Sequence, residues 1–169
     1  EREILLKNIS DLLKTSPQDS IRKIDGLIAE LKSANKKIEQ LQAKLVTARI
    51  DEILSHALEI NGISIISAKL EGMDMDALRN TADVLKGKVS DGVIILASDY
   101  GEKVNIVAAA TANAVKAGIH AGNIVKEAAK VVGGGGGGRP DMAQAGGKDV
   151  TKIEDALKRA VEIVKDQLN

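Results

Sequence analysis

The chain has 169 residues, 44% hydrophobic and 28% charged, with a formal net charge of zero, which allows one domain with a core or one domain plus an extended element. It has no cysteine, two histidines and a single tyrosine as its only aromatic residue, so disulfides and cysteine-based zinc sites are excluded and the core falls to Ile, Leu, Val and Ala. The neutral total gives no whole-chain argument for nucleic acid, and no apolar run approaches the ~20 residues of a membrane span. The first residues lack the apolar stretch of a signal peptide, so a cytoplasmic protein is expected. The chain opens on Glu1 in an already helix-like pattern, which suggests a piece of something longer.

Ile4, Leu5, Ile9, Leu12 and Leu13 form a helical stripe. Lys14 to Pro17 interrupts it, and Ser16 followed by Pro17 reads as the N-cap and first position of a new helix. A long pattern then runs to about Leu58. Ile24, Leu31, Ile38 and Leu45 recur every seventh residue, and Leu27, Ala34, Leu41 and Ala48 follow each three positions later, the a/d seam of a coiled coil. Forty such residues would reach roughly 60 Å, too long to lie on a small domain. The seam needs a partner, either the first helix folded back as an antiparallel hairpin or a second copy of the chain. Ile24, Leu27, Leu31, Ile38, Leu41 and Leu45 are the candidate dimerisation residues. His56, within this helix, reads as solvated or as a partner contact.

Asn61-Gly62 ends the helical region with turn chemistry. Residues 63–70, ISIISAKL, predict a strand. Asp74 is placed to cap a helix with Met75, Leu78, Ala82 and Leu85 on one face, stopping near Gly87. The wholly apolar run from Val93 to Ala97 suits a buried central strand. A turn over Ser98 to Glu102, with Tyr100 at its tip, leads to a strand from Lys103 to Ala110. Thr111 to Lys116 predicts a short helix ended by Gly118, and Ala121 to Val132 a longer one, with His120 at its start in a capping or packing role. Thr151 to Glu154 reads as a capping box opening a last helix through Leu168. The expected fold class is α/β: a long, coiled-coil-like helical arm over 1–61, then a small globular domain over 62–169 with a mixed sheet flanked by helices.

The stretch Val131 to Gly147, VVGGGGGGRPDMAQAGG, stands apart. Glycines lose more backbone freedom on folding than any other residue, so an ordered run implies close backbone approach or contact with a ligand. A flexible linker is the remaining reading. The residue order does not match the G-x-x-x-x-G-K-[ST] phosphate loop. Pro140 biases Arg139 to an extended conformation, and Asp141 could cap one helical turn over Met142 to Ala145. The run 133–138 is accordingly expected as a glycine-rich loop.

Gly-Ile-His-Ala-Gly at 118–122 and GGGGGGRPDMAQAGG at 133–147 closely resemble the C-terminal domain of alanyl-tRNA synthetases, whose glycine-rich Arg-Pro motif also marks the DHH-associated domain of certain phosphoesterases. The long helical segment is similar to the region that follows the editing domain in those synthetases. The resemblance implies a C-terminal piece that binds alanine tRNA and helps the enzyme form a homodimer. It implies no catalytic residue, metal or cofactor in this chain: ATP, magnesium and zinc belong to other domains of the parent ligase. The editing signature of paired histidines and a cysteine is absent from the sequence. Two other functions stand beside this one, the nucleotide-binding C-terminal domain of a DHH phosphoesterase and a purely structural coiled-coil dimeriser. The phosphoesterases carry an Asp-His-His metal domain upstream, where this chain has heptads.

Candidate contacts to tRNA or phosphate are Gly134, Gly135, Gly136, Gly137 and Gly138 with Arg139, and the nearby Lys116, Lys126, Lys130 and Lys148. Between Lys103 and Lys148 basic residues outnumber Glu127 and Asp141, a local surplus that the neutral total hides. Arg139 suits a phosphate, and equally an ion pair with Asp141 or a helix-end cap. Tyr100 could stack on an exposed base.

Overall fold

The computed structural model describes residues 2–169, with side chains described for all of these except 2, 43 and 46–48. Ala48 of the expected seam therefore lies outside the described side chains. The chain forms two compact units, Glu1–Leu41 and Gln42–Asn169. The division falls upstream of the boundary expected near Asn61. The reason is local: Ile50 is buried and Ile53 and Leu54 pack beside it in the core of the second unit, so the last turns of the long helix belong there.

In the first unit, α1 (Arg2–Leu13) ends at Lys14, whose φ is +50°. Ser16 then accepts a hydrogen bond from the Asp19 N–H at 3.3 Å, with Pro17 opening a 3-10 turn over Pro17–Asp19. This is the expected cap and proline, with a tighter first turn. The helix α2 follows over Ser20–Ser55. The buried hydroxyls of Ser10 and Ser20 meet at 3.0 Å. Leu12 is 85% exposed on α1, and Leu31 is 63% exposed on α2. Ile24, Leu27, Ile38 and Leu41 are exposed as well. The hairpin alternative thus leaves the seam uncovered.

The second unit is built on a six-stranded sheet in the order β1-β2-β3-β4-β6-β5. Its strands are β1 (Leu58–Ile60), β2 (Ile63–Glu71), β3 (Gly92–Tyr100), β4 (Lys103–Ala110), β5 (Gly135–Gly138) and β6 (Met142–Gly147). Among the described residues only β2 and β3 pair in parallel, and α3 (Met75–Lys86) makes the crossover between them. Asp74 accepts from the Ala77 N–H at 2.8 Å and starts α3 where the sequence places it. The Val93–Ala97 stretch of β3 is apolar throughout because both of its faces are covered. Val93, Ile95 and Ala97 join one core with α5 (Ala121–Val131) and α6 (Ile153–Leu168), while Ile94 and Leu96 join a second core with α3. A short α4 (Ala112–Lys116), capped by Thr111, leads to α5, whose N-cap is His120. Among the described residues, no helix is long and apolar enough to cross a membrane.

Five local expectations are corrected. The helix expected to run to about Leu58 stops at Ser55, because Asn61 and Gly62 take φ values of +52° and +77° and close a two-residue hairpin between β1 and β2. The turn expected over Ser98 to Glu102 is shorter: Tyr100 pairs with Lys103 across the hairpin, and Gly101, at φ +63°, takes the first loop position. The glycine-rich loop of 133–138 is an edge strand over Gly135–Gly138, and the helical turn expected over Met142 to Ala145 is strand β6. The capping box at Thr151 is replaced by a 3-10 turn, Val150–Lys152, which Asp149 caps by accepting from the Thr151 N–H at 3.1 Å.

Candidate functional site

The glycine run begins as the end of α5. Gly133, at φ +64°, terminates the helix, and the Gly134 N–H donates to the Ala129 carbonyl at 2.8 Å. The chain then runs as β5 antiparallel to β6, with Gly136 opposite Ala145 and Gly138 opposite Ala143. Pro140 and Asp141 form the loop, and the Arg139 N–H donates to the Met142 carbonyl at 3.0 Å. The run is paired and ordered, so it is not a linker.

Alternate glycines serve different ends. A Cβ on Gly134 would collide with the Gly146 carbonyl, and one on Gly136 would collide with Ala145. A Cβ on Gly138 would lie 2.7 Å from the Ala143 Cα. Ala143 and Ala145 point into the α5 core, so this side of the strand is where backbones close on one another. Helix α5 presses equally close from its own end, where a Cβ on Gly122 would lie 2.5 Å from the Gly138 carbonyl oxygen. Gly135 and Gly137 are different: a Cβ on either meets nothing within 4 Å. They present bare peptide backbone on the opposite face, beside the exposed Gln144. Close packing accounts for one half of the run, and the other half is left open.

Arg139 is committed to a neighbour. Its Nε and Nη2 donate to the two carboxylate oxygens of Asp141 at 3.0 and 3.1 Å. The hydrogen bond from Arg139 holds the Asp141 carboxyl below its ordinary value. Both side chains are exposed, so the pair does little for stability and orients the guanidinium along the hairpin turn.

The basic residues do not converge on one spot. The Ala121 N–H donates to the Pro140 carbonyl at 3.0 Å, which fixes Arg139 near the N-terminal end of α5. The Lys148 N–H donates to the Val132 carbonyl at 2.8 Å, at the other end of the same helix. An eleven-residue helix separates these ends by about 16 Å. Lys126 and Lys130 lie between them, both exposed, with Lys130 paired to Glu127, whose carboxyl it draws below its ordinary value. Lys116 ends α4 and is exposed.

Sheet register sorts the rest. Gly147 pairs with Val104, and Tyr100 pairs with Lys103, so Tyr100, Lys103 and Lys148 share one end of the sheet. Gly135, opposite Gly146, is at that end too. Met142 pairs with Ala109 and brings Arg139 to the opposite end. Tyr100 is 52% exposed. Sequence reasoning counted Lys103 in the basic surplus without singling it out, and missed Gln144. The period-two alternation of Met142-Ala143-Gln144-Ala145 was the available signal for Gln144. The dimerisation candidates Ile24, Leu27, Leu31, Ile38, Leu41 and Leu45 are all exposed along α2.

The DHHA1 domain family model matches residues 62–166. An alanine–tRNA ligase of Acetivibrio thermocellus is 54% identical over 168 residues, which is 99% of this chain and 19% of that protein. Among solved structures, the C-Ala domain from Aquifex aeolicus alanyl-tRNA synthetase is 29% identical with a TM-score of 0.58, covering 67% of this chain and 98% of that one. RecJ from Thermus thermophilus is 13% identical with a TM-score of 0.51, covering 94% of this chain and 24% of RecJ, a likeness of fold alone. The chain spans only 19% of the length of that ligase.

Proposed function

The chain belongs to the DHHA1 domain family and is similar to the C-terminal domain of alanyl-tRNA synthetase, and from that premise we propose that it is a non-catalytic tRNA-binding and dimerisation domain of an alanine–tRNA ligase. The observation that carries this reading is 54% identity to such a ligase across nearly the whole chain. The ligase chemistry, with its ATP, magnesium and zinc, then belongs to other domains of a longer cytoplasmic enzyme. RNA is met on the sheet end that holds Tyr100, Lys103 and Lys148. The lysines contact phosphates and the tyrosine stacks on an exposed base. Gly135 and Gly137 let a sugar–phosphate backbone approach closely, since no side chain stands in the way. The hairpin is held rigid by its own packing, so little ordering cost falls on binding.

The chain is neutral overall, so affinity is modest and falls with salt. Filter binding of the 169-residue chain to alanine tRNA, at low and at moderate salt, tests the reading. Salt-sensitive binding is expected. No retention even at low salt refutes RNA contact by this piece. The likeness to RecJ is one of fold and adds no weight to the phosphoesterase alternative.

A further inference from the structure

We propose that the free edge of β2 takes up an extended peptide segment of another protein, with a carboxylate at its centre, as an added strand. The register shows which backbone groups are left over. The Ser64 N–H donates to the Asp91 carbonyl and the Gly72 N–H to the Asp99 carbonyl, both at 2.9 Å on the β3 side. Even-numbered residues of β2 therefore turn their backbone groups toward β3, and odd-numbered residues turn theirs away. Ile63 and Ile65 meet Ile60 and Leu58 of β1, which reaches no further than Leu58. Among the described residues, no strand pairs with Ser67, Lys69 and Glu71 on this side. Each of them presents an N–H and a carbonyl outward.

This bare edge lies in a groove. Ile65 joins the core that α6 covers, while Ile66 and Leu70 join the one that α3 and the last turns of α2 cover. By the same alternation the side chains of Ser67, Lys69 and Glu71 stand on the α6 side, and all are exposed. Two hollows of about 460 and 680 Å³ share Lys69 and Glu154, and so continue into one another along the edge. Leu58, Leu157 and Val161 line the first. Leu45 and Arg49, from the part of α2 that belongs to the second unit, line the other.

The edge itself selects the class of occupant. An added strand brings N–H groups and carbonyls in the same alternation, so it satisfies both kinds of group. A phosphate accepts without donating and would leave the carbonyls without a donor. Charge then selects among peptides. A lysine in the middle of an edge strand keeps bare edges from pairing indiscriminately. Lys69 is held only loosely, with Asp99 at 3.8 Å. A second copy laid antiparallel over 67–71 would set Lys69 against Lys69, whereas a carboxylate there is attracted. Glu71 favours a basic residue opposite it. The residue opposite Ser67 falls among Leu58, Leu157 and Val161 and is apolar. The alternate residues face Leu45 and Arg49, which suit one apolar and one acidic side chain. Lys-Val-Glu-Glu-Leu, running antiparallel from the Glu71 end, meets each of these requirements.

The probe is that peptide, labelled with fluorescein and amidated at its C-terminus, titrated with the 169-residue chain and followed by anisotropy. Saturable binding is expected, with slowed hydrogen exchange at the Ser67, Lys69 and Glu71 amides. Ser67→Pro removes one outward N–H and leaves the β2–β3 ladder its bonds, so the variant should keep its circular dichroism and bind about tenfold more weakly. Lys69→Glu should also weaken binding about tenfold, and a peptide with Lys in place of its central Glu should restore it on that variant alone. Absence of saturable binding overturns the proposal. So does binding that neither substitution changes. If alanine tRNA protects these three amides and the peptide does not, the edge belongs to the RNA interface and the proposal falls.

Discussion

Substituting alanine at Gly136 and at Gly137 should have opposite consequences, although the two residues are neighbours in a run of glycines. A Cβ on Gly136 would meet the Cα and Cβ of Ala145 and the Gln144 carbonyl far inside van der Waals distance. Backbone atoms on the partner strand cannot rotate away, so β5 must move off β6 or the added methyl must be accommodated as strain. Overpacking of this kind costs about 1–3 kcal/mol, and for a chain of this size each kcal/mol moves the melting temperature by about 2–4 °C. The expected loss for Gly136→Ala is therefore about 2–12 °C. Gly137→Ala adds a methyl group that meets nothing within 4 Å, at a backbone position outside the left-handed region. It should be neutral, or stabilising by about 0.4–1 kcal/mol through the reduced freedom of the unfolded chain. Thermal unfolding followed by circular dichroism reads both. Hydrogen exchange at the β6 amides shows whether the Gly136 variant has opened the hairpin alone. Equal behaviour of the two variants would refute the strand assignment, because a loop has no alternation with which to tell them apart.

Replacing Lys103 and Lys148 together with alanine should weaken binding to alanine tRNA and reduce the slope of log affinity against log salt by about 1.4–1.8, the loss of two phosphate contacts. An unchanged slope would remove this end of the sheet from the interface. Arg139→Ala should raise the Asp141 carboxyl toward its ordinary value of 3.8, followed by NMR titration of the side-chain carboxyl. In the unmodified chain the pair's small contribution is complete above that ordinary value and is lost as the pH falls through the lowered one, so the variant should lose this acid-side dependence. Leu96→Ala, at a fully buried position against the α3 side of the sheet, should cost about 2–5 kcal/mol in urea unfolding.

The helices and the central strand were legible in the sequence because their signals are local. Asp74 and Thr111 cap helices with N–H groups three residues away, and His120 does the same for α5. The continuous apolar run of β3 marks a strand covered on both faces wherever its neighbours come from. The motif at 133–147 was equally legible as a marker of family, since a family resemblance needs no account of how the residues are folded.

What the sequence could not decide is how that motif is built. Glycine has no side chain, so a glycine run carries no hydrophobic period, and strand, loop and linker look alike. The four residues of β5 become a strand only because β6 lies beside them, close enough that a Cβ on Gly136 or Gly138 would collide with it, and because α5 lies against them, where a Cβ on Gly122 would collide with the Gly138 carbonyl. The alanines of β6 read as helix formers by propensity, but their alternation faces Ala143 and Ala145 into the core, and burial outweighs a preference worth tenths of a kcal/mol. The placing of the charged residues is likewise a matter of register: the pairing of β4 with β6 brings Lys148 to the end of the sheet where Tyr100 stands and sends Arg139 to the other. Capping and periodicity act over a few residues and are written in the chain itself, whereas close backbone approach and strand register exist only once segments distant in sequence have met.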